Sequence, residues 1–357
     1  MSRANAPWHP SKLRAAPDQV ERDAQTLEVT RERGASMDPK IVFVTPFLDS
    51  AAAAEGMVPA GFDFIPAKGD SPEYNAAIAE AQYLVGFVSG LIQEPLFKAA
   101  SKLKLIQLLS AGYDDADINA ARQAGVPVSN NGGANSVAVS EHAVLLMLAV
   151  SRDLIHQHQN VAAGRWRGNQ TPRLFELHTK TVGIVGLGSI GKKVARLVQA
   201  FGVNVIYYDI TRLTADQEDS LGVRFRLLDE LLAEADIVTL HTPLNASTHH
   251  MIGTRQFETM KDSSILINTS RGPVVDEVAL HDALASKAIS AAGLDVFDEE
   301  PPAVDNPLFT LDNVILTAHM AGPTFESHTA RLRNGFDNVQ RVERGEAPLW
   351  VVPEFSE

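Results

Sequence analysis

Three segments of this chain each end a short apolar run in a side chain able to bind an anion or move a proton. Ile265-Leu266-Ile267-Asn268 runs into Thr269-Ser270-Arg271-Gly272. An arginine fork suits a bidentate grip on a carboxylate and keeps its charge in a closed site. Gly293-Leu294-Asp295-Val296-Phe297 leads to Asp298, Glu299 and Glu300, stiffened by Pro301 and Pro302. Val314-Ile315-Leu316-Thr317-Ala318 ends in His319, with Met320, Ala321 and Gly322 after it. Histidine suits general acid and base work near neutral pH. Taken singly, Arg271 reads as a salt-bridged surface residue and 298–300 as a solvated acidic turn. Together, each at the end of a predicted strand, they stand where open α/β sheets place their ligands.

Ahead of all three, Thr181-Val182-Gly183-Ile184-Val185 reads as a buried strand. It enters Gly186-Leu187-Gly188-Ser189-Ile190-Gly191 and then a helical stretch over 192–201. A second apolar strand over 203–208 is closed by Asp209. This is the G-x-G-x-x-G dinucleotide fingerprint with its strand, helix and acidic residue. Gly186 permits the tight turn, Gly188 lets backbone approach a pyrophosphate, and Gly191 lets the helix pack closely on the strand. The helix N-terminus offers free N–H groups and the positive end of its dipole to the phosphates. A carboxylate at Asp209 accepts from a ribose diol and repels a 2′-phosphate, so NAD is the expected cofactor. Arg212, three residues on, leaves NADP open.

The elements that position these groups alternate from Lys40 onward, the mark of parallel sheets covered by helices. Strands are predicted over 41–44, 62–65, 83–88, 103–109 and 126–128, with helices over 94–102 and 117–123. A long helical pattern over 137–161 places Val139, His142, Ala143, Leu146 and Met147 on one face. A helix of that length serves either as a dimer surface or as an interdomain spacer. Beyond Asp209, strands are predicted over 223–226, 237–241, 264–268, 291–296 and 314–317. A last helix over 324–345 is expected to cross back to the first unit.

The 357 residues exceed one compact domain by the usual size scale, so two are expected. Hydrophobic residues make up 45%, enough for sizeable cores. The net charge of −13, without a basic stripe, argues against nucleic-acid or anionic-membrane partners. The absence of cysteine excludes disulfides and thiolate chemistry and suits a reducing cytoplasm. No apolar run approaches the roughly 18 residues of a membrane-spanning helix. His156 and His158 face different ways on a helix, and His249 and His250 share a polar loop, so no metal site is expected. Residues 1–36 are polar and mix both charge signs, which predicts a flexible extension.

The order and content of these motifs resemble the D-isomer-specific 2-hydroxyacid dehydrogenase family over about residues 40–352. The matching stretches are the glycine turn, His241-Thr242-Pro243-Leu244, Asn268-Thr269-Ser270-Arg271-Gly272, Leu294-Asp295-Val296-Phe297 through Glu300-Pro301, and Ala318-His319-Met320-Ala321-Gly322. Ala111-Gly112-Tyr113-Asp114 and the run from Asn135 to His142 also match.

The resemblance implies an α/β fold of two doubly wound parallel-sheet domains. A Rossmann cofactor domain over 146–325 would be inserted in a flavodoxin-like substrate domain made of 37–145 and 326–357. It implies that Arg271 holds the substrate carboxylate and oxo oxygen. His319 would donate the proton to that oxygen, and Glu300 would hydrogen-bond His319 and favour its charged form. Gly186, Gly188, Ser189, Ile190, Gly191, Asp209, Thr242, Pro243 and Thr269 would line the cofactor, with Asp295 near the nicotinamide carboxamide. Ser89, Gly90, Gly112 and Asn135 would line the substrate.

Several family members carry a polar or basic residue in the loop matching Gly86-Phe87-Val88-Ser89-Gly90. That loop is uncharged here, so a small non-phosphorylated 2-oxo or 2-hydroxy acid is expected. Glu300 stands where formate dehydrogenases have glutamine, which argues against that activity. A homodimer is expected. The competing reading is a dinucleotide-regulated binding protein resembling the C-terminal-binding corepressors, against which stands the lack of a recognisable peptide- or DNA-recognition extension.

Overall fold

The computed structural model describes residues 38–46, 48–167 and 174–355. The extension expected over 1–36 lies outside them. Two parallel sheets carry the fold. The first has five strands, β1 (Lys40–Val44), β2 (Asp63–Ala67), β3 (Tyr83–Gly86), β4 (Leu105–Leu108) and β5 (Val128–Ser129), in the order β2-β1-β3-β4-β5. This is the flavodoxin-like order. Val42 pairs with Ile65 on one side and Leu84 on the other. Side chains alternate across a strand, so β1 feeds two cores. Val42 and Val44 join Leu84, Ile106 and Val128 on one face. Ile41 and Phe43 join Tyr83, Val85 and Leu105 on the other. With both faces covered, the strands read as continuous apolar runs, as buried parallel strands do.

The second face is closed by the helix Phe325–Glu343, through Leu332, Phe336 and Val339. The chain's end therefore completes the domain that its beginning starts. Thr324 caps this helix by accepting from the Ser327 N–H. Buried Asn338 donates to Gln107 of β4 at 2.8 Å and to the Leu349 carbonyl. Val351 then bridges antiparallel to Ser129.

The second sheet has seven strands, β6 (Thr181–Val185), β7 (Asn204–Tyr208), β8 (Arg224–Phe225), β9 (Ile237–Leu240), β10 (Ile265–Asn268), β11 (Ala291–Leu294) and β12 (Val314–Leu316). Their order is β12-β11-β10-β9-β6-β7-β8. The chain runs outward from β6 to β8 and returns to β9 on the opposite side of β6. That reversal opens a crevice beyond the carboxyl ends of β6 and β9, where doubly wound sheets bind dinucleotides.

The single long helix expected over 137–161 is two helices, Ser136–Ser151 and Leu154–Ala162. Asp153 adopts a left-handed backbone (φ 49°) between them, which ends the run of helical hydrogen bonds. The first helix buries Ala143, Leu146 and Met147 against Val182, Ile184 and Ile267 of the second sheet.

Candidate active site

The glycine turn joins β6 to the helix Ser189–Gln199. Gly186 has φ +93°, and a Cβ there would come 2.7 Å from the His241 carbonyl oxygen, so only glycine fits between β6 and β9. A Cβ at Gly191 would come 2.2 Å from the Gly186 oxygen, which records how closely the helix packs on the turn. At Gly188 a Cβ would meet nothing within 4 Å, so the turn presents open backbone there. No side chain caps the helix at Gly188, and its first internal bond is Lys192 N–H to the Gly188 carbonyl. The Ser189, Ile190 and Gly191 N–H groups at the start of the helix have no acceptor within it and can meet an anion.

Asp209 ends β7 beside this turn. Its carboxylate accepts from the Leu187 N–H at 2.7 Å and the Thr211 N–H at 2.9 Å. Arg212 points elsewhere: its Nε donates to Glu218 at 3.1 Å and its guanidinium lies 4.9 Å above the Phe225 ring. Beyond β9 and β10, Thr242 Oγ1, Thr269 Oγ1 and His241 Nδ1 are buried without hydrogen-bond partners. Burial drives the His241 pKa down to about 3, so its ring stays neutral. Orphaned buried hydroxyls are costly unless a ligand supplies their partners. Together with the open Gly188 face, they fit a dinucleotide laid along the crevice. Ser189 is exposed at its entrance, Ile190 packs inward on the domain core, and the Pro243 carbonyl accepts from Thr248.

His319 and Glu300, the two residues expected to share a proton, are in direct contact. His319 Nδ1 lies 2.6 Å from Glu300 Oε2, and the other carboxylate oxygen accepts from the Phe297 N–H at 3.1 Å. With Nδ1 engaged, Nε2 is the ring nitrogen left for a substrate. Burial pushes the Glu300 carboxyl up, but the His319 bond, the Phe297 N–H and the Arg271 charge outweigh it and leave the pKa lowered. His319 has φ 52°, an uncommon backbone for a non-glycine residue that surrounding contacts must hold.

Asp295 supplies those contacts. It is fully buried, and its carbonyl accepts from the His319 N–H at 2.8 Å. Its carboxylate accepts from Thr317 Oγ1 at 2.6 Å and from the Met320 and Ala321 N–H groups at 2.8 Å each. His142 Nε2 approaches Thr317 Oγ1 at 3.1 Å and Asp295 Oδ1 at 3.6 Å. The side chain expected beside the nicotinamide thus clamps the histidine loop from beneath.

Arg271 is set by a tight turn in which Asn268 Oδ1 accepts from the Ser270 N–H and Asn268 Nδ2 donates to the Arg271 carbonyl. A Cβ at Gly272 would come 1.8 Å from the Phe297 carbonyl oxygen, so that glycine lets the arginine and glutamate loops touch. Arg271 Nε donates to Asp114 at 2.7 Å and Nη1 to the Ser270 carbonyl at 2.7 Å. Nη2 lies over Gly112, where a Cβ would come within 1.6 Å of it. Arg271 and Gly112 are therefore brought together across the two sheets.

Ser89 begins a short 3-10 turn, Ser89–Leu91, after β3, and Gly90 is open on its Cβ side. Asn135 precedes the helix Ser136–Ser151 and accepts from Asn131 Nδ2 at 3.3 Å. Asp114 and Arg331 also border this region without having been singled out from sequence. Asp114 was visible only as the last residue of a matching motif. Arg331 carried one signal, a charge at helical spacing from buried Ser327, Gly335 and Asn338. Among the described residues no cluster of His, Asp or Glu could hold a metal ion, and no helix is long and apolar enough to cross a membrane.

A sequence model for the NAD-binding domain of D-isomer-specific 2-hydroxyacid dehydrogenases matches residues 144–321. The chain is 38% identical to a glyoxylate reductase of Korarchaeum cryptofilum (strain OPF8), over 76% of this chain and 82% of that protein. It is 39% identical to a D-3-phosphoglycerate dehydrogenase of Archaeoglobus fulgidus over 72% of this chain, spanning 47% of that protein. It is also similar to the crystal structure of D-lactate dehydrogenase from Aquifex aeolicus complexed with NAD and lactic acid. The TM-score is 0.75 at 29% identity, over 86% of this chain and 96% of that one.

Proposed function

The chain belongs to the D-isomer-specific 2-hydroxyacid dehydrogenase family, oxidoreductases acting on CH–OH donors, and we propose that it interconverts a small 2-oxo acid and its D-2-hydroxy acid with NAD. The observation that carries this reading is the 2.6 Å contact of His319 Nδ1 with Glu300, which leaves Nε2 to serve the substrate. A reduced nicotinamide held in the crevice would supply the hydride to C2 of the oxo acid. His319 Nε2 donates the proton to the oxo oxygen, and takes it back when the hydroxy acid is oxidised. Glu300 fixes the ring through its contact with Nδ1. Arg271 holds the reactive carboxylate and polarises the oxo group, aimed by Asp114 and given room by Gly112. Backbone N–H groups around Ser89, Gly90 and Gly112 complete the grip. Asp295 acts through the loop it clamps.

The cofactor would lie on Gly186, Gly188, Ser189, Ile190 and Gly191, pair its ribose diol with Asp209, and satisfy Thr242 and Thr269. The engagement of Arg212 with Glu218 and Phe225 supports NAD over NADP. The exposed Val137, Leu145, Leu154, Ile155 and Val161, on the two helices Ser136–Ser151 and Leu154–Ala162, form the surface we assign to a homodimer contact.

The test is the initial rate of NADH and NADPH oxidation with glyoxylate, hydroxypyruvate, pyruvate, phenylpyruvate and 2-ketoisocaproate, with chiral analysis of the product. Turnover to the D-hydroxy acid is expected, faster with NADH. Tight NADH binding without turnover of any 2-oxo acid would refute the reading.

A further inference from the structure

The helix Phe325–Glu343 carries a guanidinium into the protein interior. Arg331 is only 5% exposed. Its Nε has no hydrogen-bond partner. Its Nη2 donates to the Gly322 carbonyl at 3.0 Å, an oxygen that already accepts from Ser327 Oγ at 2.6 Å and the Thr324 N–H at 3.1 Å. The Phe87 ring lies 5.9 Å away, at the limit of a cation–π contact. Burial lowers the pKa of Arg331, and no acid offsets that effect. Arginine nevertheless stays protonated in proteins, so the fold holds a buried cation that no described carboxylate neutralises.

A second donor faces the same place. A Cβ added to Gly322 would come 2.9 Å from Arg331 Nη2 and 3.3 Å from Asn135 Nδ2. Asn131 Nδ2 donates to Asn135 Oδ1, which turns the Asn135 NH2 group toward Gly322 as a donor. Gly322 closes the loop that carries His319, and Phe87 shortly precedes Ser89. Both donors thus meet at Gly322, in the loop that carries His319, apart from the Arg271–Gly112 grip on the reactive carboxylate.

We propose that Arg331 and Asn135 form a second anion subsite, and that the substrate is a 2-oxo dicarboxylic acid whose distal carboxylate pairs with Arg331. This rests on the reading of the chain as a 2-oxo acid reductase. Two donors converge beside Gly322, where the described acceptor on Arg331 is a neutral carbonyl, and such a pair matches a carboxylate; the ion pair that burial denies Arg331 is completed by the substrate. The Gly86–Gly90 loop carries no charge of its own to take Arg331's place.

The test compares kcat/KM for oxaloacetate and 2-oxoglutarate with that for pyruvate and 2-oxobutyrate at saturating NADH, in the wild type and in Arg331→Met. Losing a charge-assisted bond is worth about tenfold or more. The wild type should favour the better dicarboxylate by at least about tenfold. Arg331→Met should lower the dicarboxylate-to-monocarboxylate ratio by a similar factor, chiefly through KM, with Arg331→Lys intermediate. NADH binding by fluorescence shows that each variant is folded. A wild type that prefers monocarboxylates overturns the inference while leaving the reductase reading intact, and needs no variant. A ratio that Arg331→Met does not move also overturns it. A folded wild type that reduces none of the four acids, nor any in the wider panel, contradicts the reductase reading itself.

Discussion

Arg271 Nε donates to Asp114 Oδ2 at 2.7 Å, joining the loop after β10 to the loop after β4. One sheet thus supplies the arginine proposed to hold the substrate, and the other supplies the acid that aims it. Asp114→Asn should keep the side chain's shape and weaken the charge-assisted bond. The expected result is a KM for the oxo acid raised about tenfold, with NADH affinity nearly unchanged. Steady-state kinetics beside fluorescence titration of NADH separates the two. An unchanged KM would remove Asp114 from the site.

Gly112→Ala tests the same arginine from its other side. The added Cβ would sit 1.6 Å from Nη2, the far end of a flexible side chain, so the guanidinium should swing away without unfolding the protein. A loss of kcat/KM on the order of a hundredfold is expected, because a displacement of about 1 Å in a positioning group has that effect. The thermal midpoint should move little. Substantial unfolding would mean that Arg271 cannot yield and that Gly112 is structural.

Glu300 ties stability to acidity. Its folded pKa lies below the ordinary value of 4.5, so ionised Glu300 stabilises the folded state at and above that pH, and the contribution is lost as pH falls through the lowered value. Glu300→Gln cannot titrate. Between neutral pH and about pH 3 the wild type should therefore lose more stability than the variant, read as urea midpoints. The variant should also reduce the oxo acid slowly across the whole pH range. Parallel stability curves would show that the contact with His319 adds nothing to folding.

Asp209 accepts two backbone N–H groups beside the glycine turn and is assigned to the ribose diol. Asp209→Ala should raise the Kd for NADH about tenfold and narrow the preference over NADPH. Titration of both nucleotides checks this. A preserved preference would shift cofactor discrimination to another residue, with Arg212 the first to test.

Short apolar runs ending in Asn268, Leu294 and Leu316 made β10, β11 and β12 legible, and with them the loops that carry Arg271, Glu300 and His319. The glycine turn was equally readable, because the φ of Gly186 and the close approach at Gly191 admit only small residues. The break at Asp153 was not legible, since helical periodicity continues on both sides of a single left-handed residue. The pairing of Asp114 with Arg271 was hidden for a different reason. It depends on how two sheets far apart in sequence present their loops, and no local pattern records that. Asp295 was legible as a site residue but not in its geometry, because four of its hydrogen bonds, three of them to its carboxylate, go to the loop after β12. Arg331 went unremarked within the last predicted helix, and its burial without an anion is what distinguishes it.

The central claim is that His319 is the acid of a 2-oxo acid reductase. The most direct measurement is single-turnover oxidation of bound NADH by the best 2-oxo acid in wild type and His319→Ala, with NADH affinity measured on the same samples. The account predicts intact NADH binding and a hydride-transfer rate reduced by about a hundredfold or more. A His319→Ala rate close to that of the wild type would contradict it.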